Sequence, residues 1–208
     1  MPINQPEPGA QLHRGPASVP RAAATVILLR GADHALEVLL VQRTPAARFM
    51  GGAWVFPGGS VTPADGDGQQ GLRVAALREL AEEAGIELSG ATELVPFANW
   101  ITPEAVMTRF DTWFFLAQAP IGTEVSVDGG EIIDARWLAP ERALELQAAG
   151  ELFMVFPTIK QLQQLAGFGS AGALLAHARG ARVVAVRPRI VGAGPAARIL
   201  LPGEPGYA

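Results

Sequence analysis

Three glutamates stand close together in the run Arg78-Glu79-Leu80-Ala81-Glu82-Glu83-Ala84-Gly85-Ile86. The spacing of alanine and leucine predicts a helix over about residues 70–84, and Gly85 can adopt the left-handed conformation that commonly ends one. On that helix Glu79, Glu82 and Glu83 are three and four positions apart, so their carboxylates emerge from neighbouring turns. Each like-charged pair costs roughly 0.2–0.5 kcal/mol on an exposed helix. The pattern therefore indicates a cation site, or else a solvated acidic face near a helix end.

The residue types in the chain restrict which cation such a site can hold. The chain has no cysteine, and its three histidines are isolated in the sequence. Ligation by oxygen alone selects hard ions, so we expect Mg²⁺ or Mn²⁺.

Length and composition favour one globular domain. A chain of 208 residues can bury one sizeable core. Residues 1–20 are rich in proline, glycine and polar residues and are expected to form a flexible arm, with a single domain over residues 21–208. No apolar run approaches a membrane span or the core of a signal peptide, so we expect a soluble protein without a membrane partner, cytoplasmic if bacterial.

The net charge limits the class of partner. A charge of −4 argues against a nucleic acid partner, because that binding draws on dense lysine and arginine. A small polyanion is not excluded, since it needs only a local basic patch and cations.

The order of strand-like and helical runs predicts an α/β fold. Runs at 24–29 and 36–41 flank a short turn and predict a β-hairpin, and Trp54-Val55-Phe56 predicts a strand stopped by Pro57-Gly58-Gly59. Further strands are predicted at 94–100, 112–117 and 132–137, and helices at 140–147 and 157–178, followed by an apolar run at 183–186 and a Pro/Gly-rich tail. We expect a mixed β-sheet sandwiched between helices, with a helical C-terminal part over about 140–180.

The glutamate helix resembles the second half of the Nudix box, G-x5-E-x7-R-E-U-x-E-E-x-G-U, where U is aliphatic. Every specified position from Arg78 to Ile86 is met, and Phe56-Pro57-Gly58-Gly59 stands upstream. The first half departs from the pattern, since Asp65 replaces the glutamate and twelve residues, not seven, separate it from Arg78. The departure leaves the role of the first acidic position open.

The resemblance to Nudix hydrolases implies a fold and a reaction. The fold is a loop-helix-loop on a mixed sheet. The reaction is attack of water on a phosphorus of a nucleoside diphosphate linked to another group, with Mg²⁺ or Mn²⁺ bridging the carboxylates and the diphosphate. Arg78 is expected to orient a glutamate by a charge-assisted hydrogen bond.

The resemblance also implies roles for individual residues of the box. Glu79 and Glu83 are expected to be direct metal ligands and catalytic residues. Glu82 is expected to be a third ligand or a base acting through water. A backbone carbonyl at Gly58 or Gly59 completes the shell, and we assign Gly59 to the metal and Gly58 to the substrate.

The segment before the box resembles the signature of coenzyme A diphosphatases, L-L-T-x-R-S/A-x3-R-x3-G-x3-F-P-G-G. All spacings agree over residues 39–59, with Val41 and Thr44 as conservative departures. Arg43 and Arg48 are then expected to bind substrate phosphates, since guanidinium groups grip phosphate in bidentate fashion and coenzyme A carries a 3′-phosphate. The alternative is that Arg43 ends a surface strand and Arg48 is a solvated loop residue.

The resemblance continues after the box to about residue 165. Glu131 is expected to be a further metal ligand or base, or else a strand-edge charge. Arg109 is expected to contact a phosphate, or else to form an ion pair with Asp111 or another neighbour. Trp100, Trp113 and Trp137 are interpreted as core residues rather than base-stacking ones.

The leading hypothesis is hydrolysis of coenzyme A or acyl-CoA to 3′,5′-ADP and a phosphopantetheine product. Within the same enzyme class the alternative is ADP-ribose or NADH. A different class is a non-catalytic Nudix domain that binds a nucleotide as a sensor. The sequence leaves open whether the C-terminal part forms a homodimer interface or covers the site.

Overall fold

The computed structural model describes residue 12 and residues 15–32, 35–47, 50–89 and 92–207. Strands and helices follow in the order β1 Arg21–Arg30, β2 Glu37–Arg43, β3 Trp54–Val55, β4 Gly58–Ser60, α1 Gly68–Ala84, β5 Val95–Ile101, β6 Phe110–Gln118, β7 Ile132–Leu138, α2 Pro140–Ala148, α3 Phe156–Leu165, α4 Ala171–Gly180, β8 Ala185–Val186, β9 Arg189–Val191 and β10 Arg198–Leu200. The predicted α/β class is confirmed.

Within the described part of the chain, eight strands form one mixed sheet. Its order is β3-β2-β1-β6-β5-β8, with β4 also on β1 and β7 also on β2, while β9 and β10 pair separately. Strand β1 is antiparallel to β2 and parallel to β6, and β5 is parallel to β8. The sheet is mixed, as the sequence predicted.

Strand β1 is buried on both faces, so both faces of the sheet carry a core. Its alternate residues Ile27 and Leu29 pack into one core with α2, α3 and α4. Val26 and Leu28 pack into the other core with α1. The period of two in a strand produces this division. Helices therefore cover both faces.

The predicted hairpin of β1 and β2 is paired only near its turn. Leu29 opposes Val38 and Arg30 opposes Glu37, and beyond these pairs β3 lies on β2 while β4 lies on β1. The chain thus crosses from β2 to β1 between Val55 and Gly58.

The strand predicted at Trp54-Val55-Phe56 is β3 and ends before Pro57, as expected, but Gly58 and Gly59 begin a further strand, β4, that was not predicted. A Cβ on Gly58 would lie 2.5 Å from the carbonyl oxygen of Ala24, so β4 approaches β1 too closely for a side chain. This close approach places the two glycines beside α1.

Helix α1 begins two residues before the predicted start and ends where predicted. Gly85 has φ 65°, in the left-handed region. The second predicted C-terminal helix is two helices, because Ser170 starts a new one by accepting a hydrogen bond from the N–H of Ala173 at 3.2 Å. Strands β9 and β10 were not predicted, since three residues are too short for a periodic signal.

None of the helices in the described ranges combines the length and apolarity that crossing a membrane requires. Residues of the predicted N-terminal arm that are described contact the domain: the carbonyl of Ser18 accepts a hydrogen bond from Arg109 at 2.5 Å. The flexibility of the arm and the domain boundary at residue 21 stay predictions.

Candidate active site

Arg78 connects the loop before α1 with two of the three helix glutamates. Its Nε and Nη2 donate to the two carboxylate oxygens of Asp65 at 2.9 and 3.0 Å. Its Nη1 donates to Glu79 at 2.8 Å and to Glu82 at 2.9 Å. Nη2 also donates to the carbonyl of Ser60 at 3.1 Å. These contacts are the orienting bonds that the sequence predicted for Arg78.

Asp65 is buried and holds Arg78 from the loop side. Its Oδ2 accepts hydrogen bonds from the backbone N–H of Thr62 at 2.7 Å and from the Thr62 hydroxyl at 2.8 Å. The bond from Arg78, helped by those from Thr62, holds the pKa of Asp65 well below its usual range despite burial. The first acidic position of the box, with its five-residue insertion, therefore positions Arg78. The signal for this turn was in the sequence, since Thr62 and Asp65 have capping-box spacing.

Glu83 is the most buried glutamate of the helix, with 5% of its side chain exposed. The N–H of Gly58 donates to one of its oxygens at 2.9 Å, and Arg43 lies 3.8 Å from the other. Burial raises the pKa of Glu83 to about 8, opposed by the Gly58 bond and increased by the charge of Glu79. Desolvation on burial also raises the pKa of Glu79, although the hydrogen bond from Arg78 opposes it. A cation bound beside these carboxyls would favour their charged form.

Glu131 reaches the same place from the loop that precedes β7. Its carboxylate accepts a hydrogen bond from Nη2 of Arg43 at 2.6 Å, and its carbonyl accepts one from the N–H of Thr44 at 2.7 Å. Asp128 shapes the loop by accepting the N–H groups of Glu131 and Ile132, each at 2.8 Å. The structure thus brings Glu131 beside Arg43 and Glu83, although they are far apart in the sequence.

The remaining predicted site residues are not all in this group. Gly59 lies against Glu79, since a Cβ on Gly59 would overlap that carboxylate. Arg109 is buried and donates to the carbonyls of Thr102 at 3.0 Å and Ser18 at 2.5 Å, so the structure places it against backbone. Arg48 lies outside the described residues. The assigned roles of these residues stay predictions.

A cavity of about 540 Å³ extends away from the carboxylates. One end is lined by Glu79, Arg43 and Glu131 together with Gly58 and Gly59. The rest is mostly apolar, with hydroxyl groups from Thr25, Thr102, Thr112 and Thr158. Its apolar side chains come from four parts of the chain and include Val55, Phe56, Trp100, Ile101, Val106, Phe110, Phe114, Val155, Phe156, Pro188, Ile190 and Ile199. The site is therefore polar at one end and apolar along most of its length.

Most of the large apolar side chains that line the cavity belong to the core that packs with α2, α3 and α4. Trp100 is buried, as predicted for a core residue, and meets Phe156 edge to face with ring centroids 6.0 Å apart. Ile190 and Ile199 come from the tail that the sequence interpretation left without a function. Residues from the C-terminal part of the chain therefore line the cavity.

The donor set fits a hard divalent cation. Carboxylate oxygens dominate the charged end, and no three acidic or histidine side chains among the described residues form a ready-made cation cluster. Glu79 and Glu82 are instead bonded to Arg78, and Glu83 is bonded to Gly58. A cation bound here would compete with those donors while relieving the cost of burying Glu83.

The candidate site is thus a cavity at a mixed sheet between helices, with the glutamate helix α1 beside the Gly-Gly strand β4. A family model of the NUDIX domain matches residues 19–157, which is more than half of the chain. The chain therefore belongs to the Nudix family. Nudix hydrolases generally use divalent metals.

Two named relatives are similar to this chain in sequence, at modest identity. A Caenorhabditis elegans protein that bears the name nudix hydrolase 7 is 27% identical over 179 residues, covering 70% of this chain and 60% of the relative. The human NAD-capped RNA hydrolase NUDT12 is 33% identical over 114 residues, covering 53% of this chain and 23% of the relative. The chain thus spans less than two thirds of the length of either relative.

Among solved structures, a NUDIX hydrolase from Alicyclobacillus acidocaldarius has a TM-score of 0.69 at 27% identity, covering 76% of this chain and 96% of that one. The NUDIX domain of Shewanella oneidensis NrtR, solved with ADP ribose, has a TM-score of 0.52 at 20% identity, covering 71% and 86%. The second likeness shows the fold alone.

Proposed function

We propose that this chain is a metal-dependent Nudix pyrophosphatase that cleaves coenzyme A or acyl-CoA to 3′,5′-ADP and phosphopantetheine or its acyl derivative. The observation that carries the proposal is the cavity, which is charged beside Glu79 and apolar over most of its remaining length. A substrate that matches it has a polyanionic centre joined to a long, weakly polar arm.

The charged end supplies the chemistry. Glu79 and Glu83, assisted by Glu82 and the Gly59 backbone, would hold Mg²⁺ or Mn²⁺ there. When bound, that ion lowers the pKa of water and neutralises charge on the diphosphate. In the reaction a bond forms from the water oxygen to one phosphorus, and the bond from that phosphorus to the bridging oxygen breaks. Glu82 or Glu131 takes the water proton, and the displaced phosphate leaves with the electron pair of the broken bond.

Arg43 and Arg78 have different roles in this proposal. Arg78 keeps Glu79 and Glu82 in place from Asp65 and is a positioning residue. Arg43 lines the charged end and carries a guanidinium that a substrate phosphate can share with Glu131. Its expected partner Arg48 would add the second grip on the 3′-phosphate.

The apolar length of the cavity favours a pantetheine or acylpantetheine arm over a second nucleoside. The sugar hydroxyls of ADP-ribose or NADH would have to pair with the hydroxyl side chains of the lining, such as Thr102, Thr112 and Thr158. Each hydroxyl left unpaired against the apolar side chains would cost about 1–3 kcal/mol. A pantetheine chain ending in an acyl group buries methylene groups there instead, with a gain of about 0.8 kcal/mol for each one.

A second candidate is hydrolysis of an NAD-type diphosphate. The observation that favours it is the 33% identity with the NAD-capped RNA hydrolase NUDT12 over 114 residues. A third hypothesis is a nucleotide-binding sensor without activity, which predicts tight binding of a nucleotide and no metal-dependent product.

Turnover of a small panel separates these functions. Coenzyme A, 3′-dephospho-coenzyme A, octanoyl-CoA, ADP-ribose and NADH are incubated with Mg²⁺ or Mn²⁺, and products are identified by mass. We expect coenzyme A and its thioester to be cleaved at the diphosphate and the dephospho analogue to react more slowly. Indifference to the 3′-phosphate with faster turnover of NADH would favour the second candidate. Binding without product would favour the sensor.

A further inference from the structure

We propose that the C-terminal hairpin, defined as β9 and β10 with their connecting residues 192–197, forms the far wall of the cavity and limits the length of the apolar group that a substrate carries. The hairpin lies after residue 157, where the match to the family's domain ends. The inference rests on the proposed function in one respect, which is the identity of the polar part of the substrate.

One cross-strand pair of isoleucines connects the hairpin with the cavity. Ile190 and Ile199 are direct partners in the antiparallel pairing of β9 and β10, so their side chains lie on the same face of the hairpin. Both line the cavity, as does Pro188 just before β9. The neighbouring Arg189 and Arg198 are exposed. The alternation of arginine and isoleucine therefore turns one apolar face inward.

The register of the sheet places this wall opposite the carboxylates. Ser60 of β4 opposes Ala23, Ala23 opposes Thr112, Thr112 opposes Trp100, and Trp100 opposes Val186. The first four of these residues line the cavity, so the row forms its floor. Four strand spacings of about 4.8 Å separate β4 from β8 by about 19 Å.

The hairpin follows directly from the far end of that row. Val186 ends β8, and Pro188 two residues later already lines the cavity. Glu79 stands at the near end, beside Gly59 of β4. A ligand with its diphosphate at Glu79 therefore directs its other group toward Ile190 and Ile199.

The end of the chain braces the hairpin from outside. The hydroxyl of Tyr207 donates to the carbonyl of Arg187 at 2.6 Å, and Arg189 donates to the carbonyl of Tyr207 at 2.7 Å. Leu201, after β10, donates its N–H to Glu204 at 2.8 Å. These bonds fix both ends of the hairpin, so its position can set a length limit.

Two substitutions at one position change the wall in opposite directions. Ile190 is only partly buried, so Ile190→Phe and Ile190→Ala are compatible with folding, which a thermal melt checks. The measurement is kcat/KM for acetyl-, octanoyl- and palmitoyl-CoA. We expect Ile190→Phe to lower the palmitoyl-to-acetyl ratio about tenfold, which corresponds to losing burial of about two methylene groups. Ile190→Ala is expected to raise the ratio.

The control and the contrary outcome use the same substrates. Ile121→Phe adds an aromatic ring at a fully exposed isoleucine outside the cavity and should leave the ratio unchanged. Equal effects of Ile190→Phe on all three substrates, or a ratio equal to that of Ile121→Phe, would overturn the inference.

A binding assay separates this inference from the proposed function. Acetyl-, octanoyl- and lauroylcarnitine carry no diphosphate and are tested for displacement of anilinonaphthalene sulfonate from the metal-free protein. Chain-length-dependent displacement that Ile190→Phe shortens supports the wall, even if no coenzyme A substrate is cleaved. Displacement that is insensitive to both Ile190 variants contradicts the wall, whatever the enzyme cleaves.

Discussion

Helix α1 supplies Glu79 to the charged end of the cavity, with Glu82 and Glu83 three and four residues further along the same helix, whereas the apolar end is assembled from β5, α3 and the C-terminal hairpin. The glutamates of α1 are unfavourable to fold, because burial raises the pKa of Glu83 to about 8 and because Glu79 and Glu82 need hydrogen bonds from Arg78. The apolar end needs only close packing. Substitutions should therefore affect catalysis at one end and substrate selection at the other.

The largest effect is expected from Glu83→Gln. Removing one charge from the proposed metal site should lower metal-dependent turnover about a thousandfold, since a bound metal contributes several kcal/mol to the reaction. The fold should persist, because the amide is similar in size and relieves a buried charge. Glu87→Gln, an exposed glutamate just past the helix, is the matched control and should keep full activity. Activity of Glu83→Gln within tenfold of that of the parent would contradict a role for Glu83 in metal binding.

Gly59→Ala should affect catalysis more than stability. A Cβ there would overlap the carboxylate of Glu79, which is a flexible side chain that can move aside. We expect a loss of about 10- to 100-fold in kcat/KM, as misplaced catalytic groups commonly cause, with little change in Tm. Gly172→Ala in α4, where a Cβ meets nothing, is the control. Equal activity of the two variants would show that Glu79 does not need its present position.

Asp65→Asn tests the loop that positions Arg78. Losing a charged partner from this largely buried pair should cost about 2 kcal/mol, which corresponds to a Tm lower by about 4–8 °C in a chain of this size. Activity should fall as well, since Glu79 and Glu82 lose their anchor. Asp67→Asn, at an exposed aspartate of the same loop, should change Tm by much less. A Tm unchanged by Asp65→Asn would remove the positioning role.

The pair of Asp65 and Arg78 also predicts that the free energy of unfolding depends on pH. The folded pKa of Asp65 lies below its ordinary value of 3.8, so its contribution is present above about pH 4 and is lost as pH falls toward the folded value. Thermal melts from pH 6 down to pH 3 should therefore show the parent approaching Asp65→Asn in stability. Parallel curves for the two proteins over that range would contradict this linkage.

The smallest effect is expected at the brace of the hairpin. Tyr207→Phe removes one exposed hydrogen bond to the carbonyl of Arg187, which should cost about 0.5 kcal/mol or less. Overall Tm should stay within about 1 °C of the parent, while the preference between long and short acyl chains should weaken. A large loss of turnover on acetyl-CoA would show that the two ends of the cavity are not separable in this way.

The glutamates near the charged end could be predicted from the sequence because they obey local helical spacing. Three and four residue separations place Glu79, Glu82 and Glu83 on one face whatever the rest of the chain does. The helix, its end at Gly85 and most strands of the sheet follow from similarly local periodicity.

The apolar end could not be predicted, because its residues meet only through the register of the whole sheet. Ile190 and Ile199 lie in strands of three residues, and their distance from Glu79 depends on four successive strand pairings. The close approach of β4 to β1 was likewise invisible, since a Gly-Gly pair is as typical of a turn as of a strand that admits no side chain.

The most direct test of the account is the product of octanoyl-CoA incubated with Mg²⁺, compared with ADP-ribose under the same conditions and resolved by mass. The account predicts 3′,5′-ADP and octanoyl-phosphopantetheine from the first, at a higher kcat/KM than for the second, and neither product with Glu83→Gln. Efficient cleavage of ADP-ribose with octanoyl-CoA left intact would contradict the claim that the apolar length of the cavity selects the substrate.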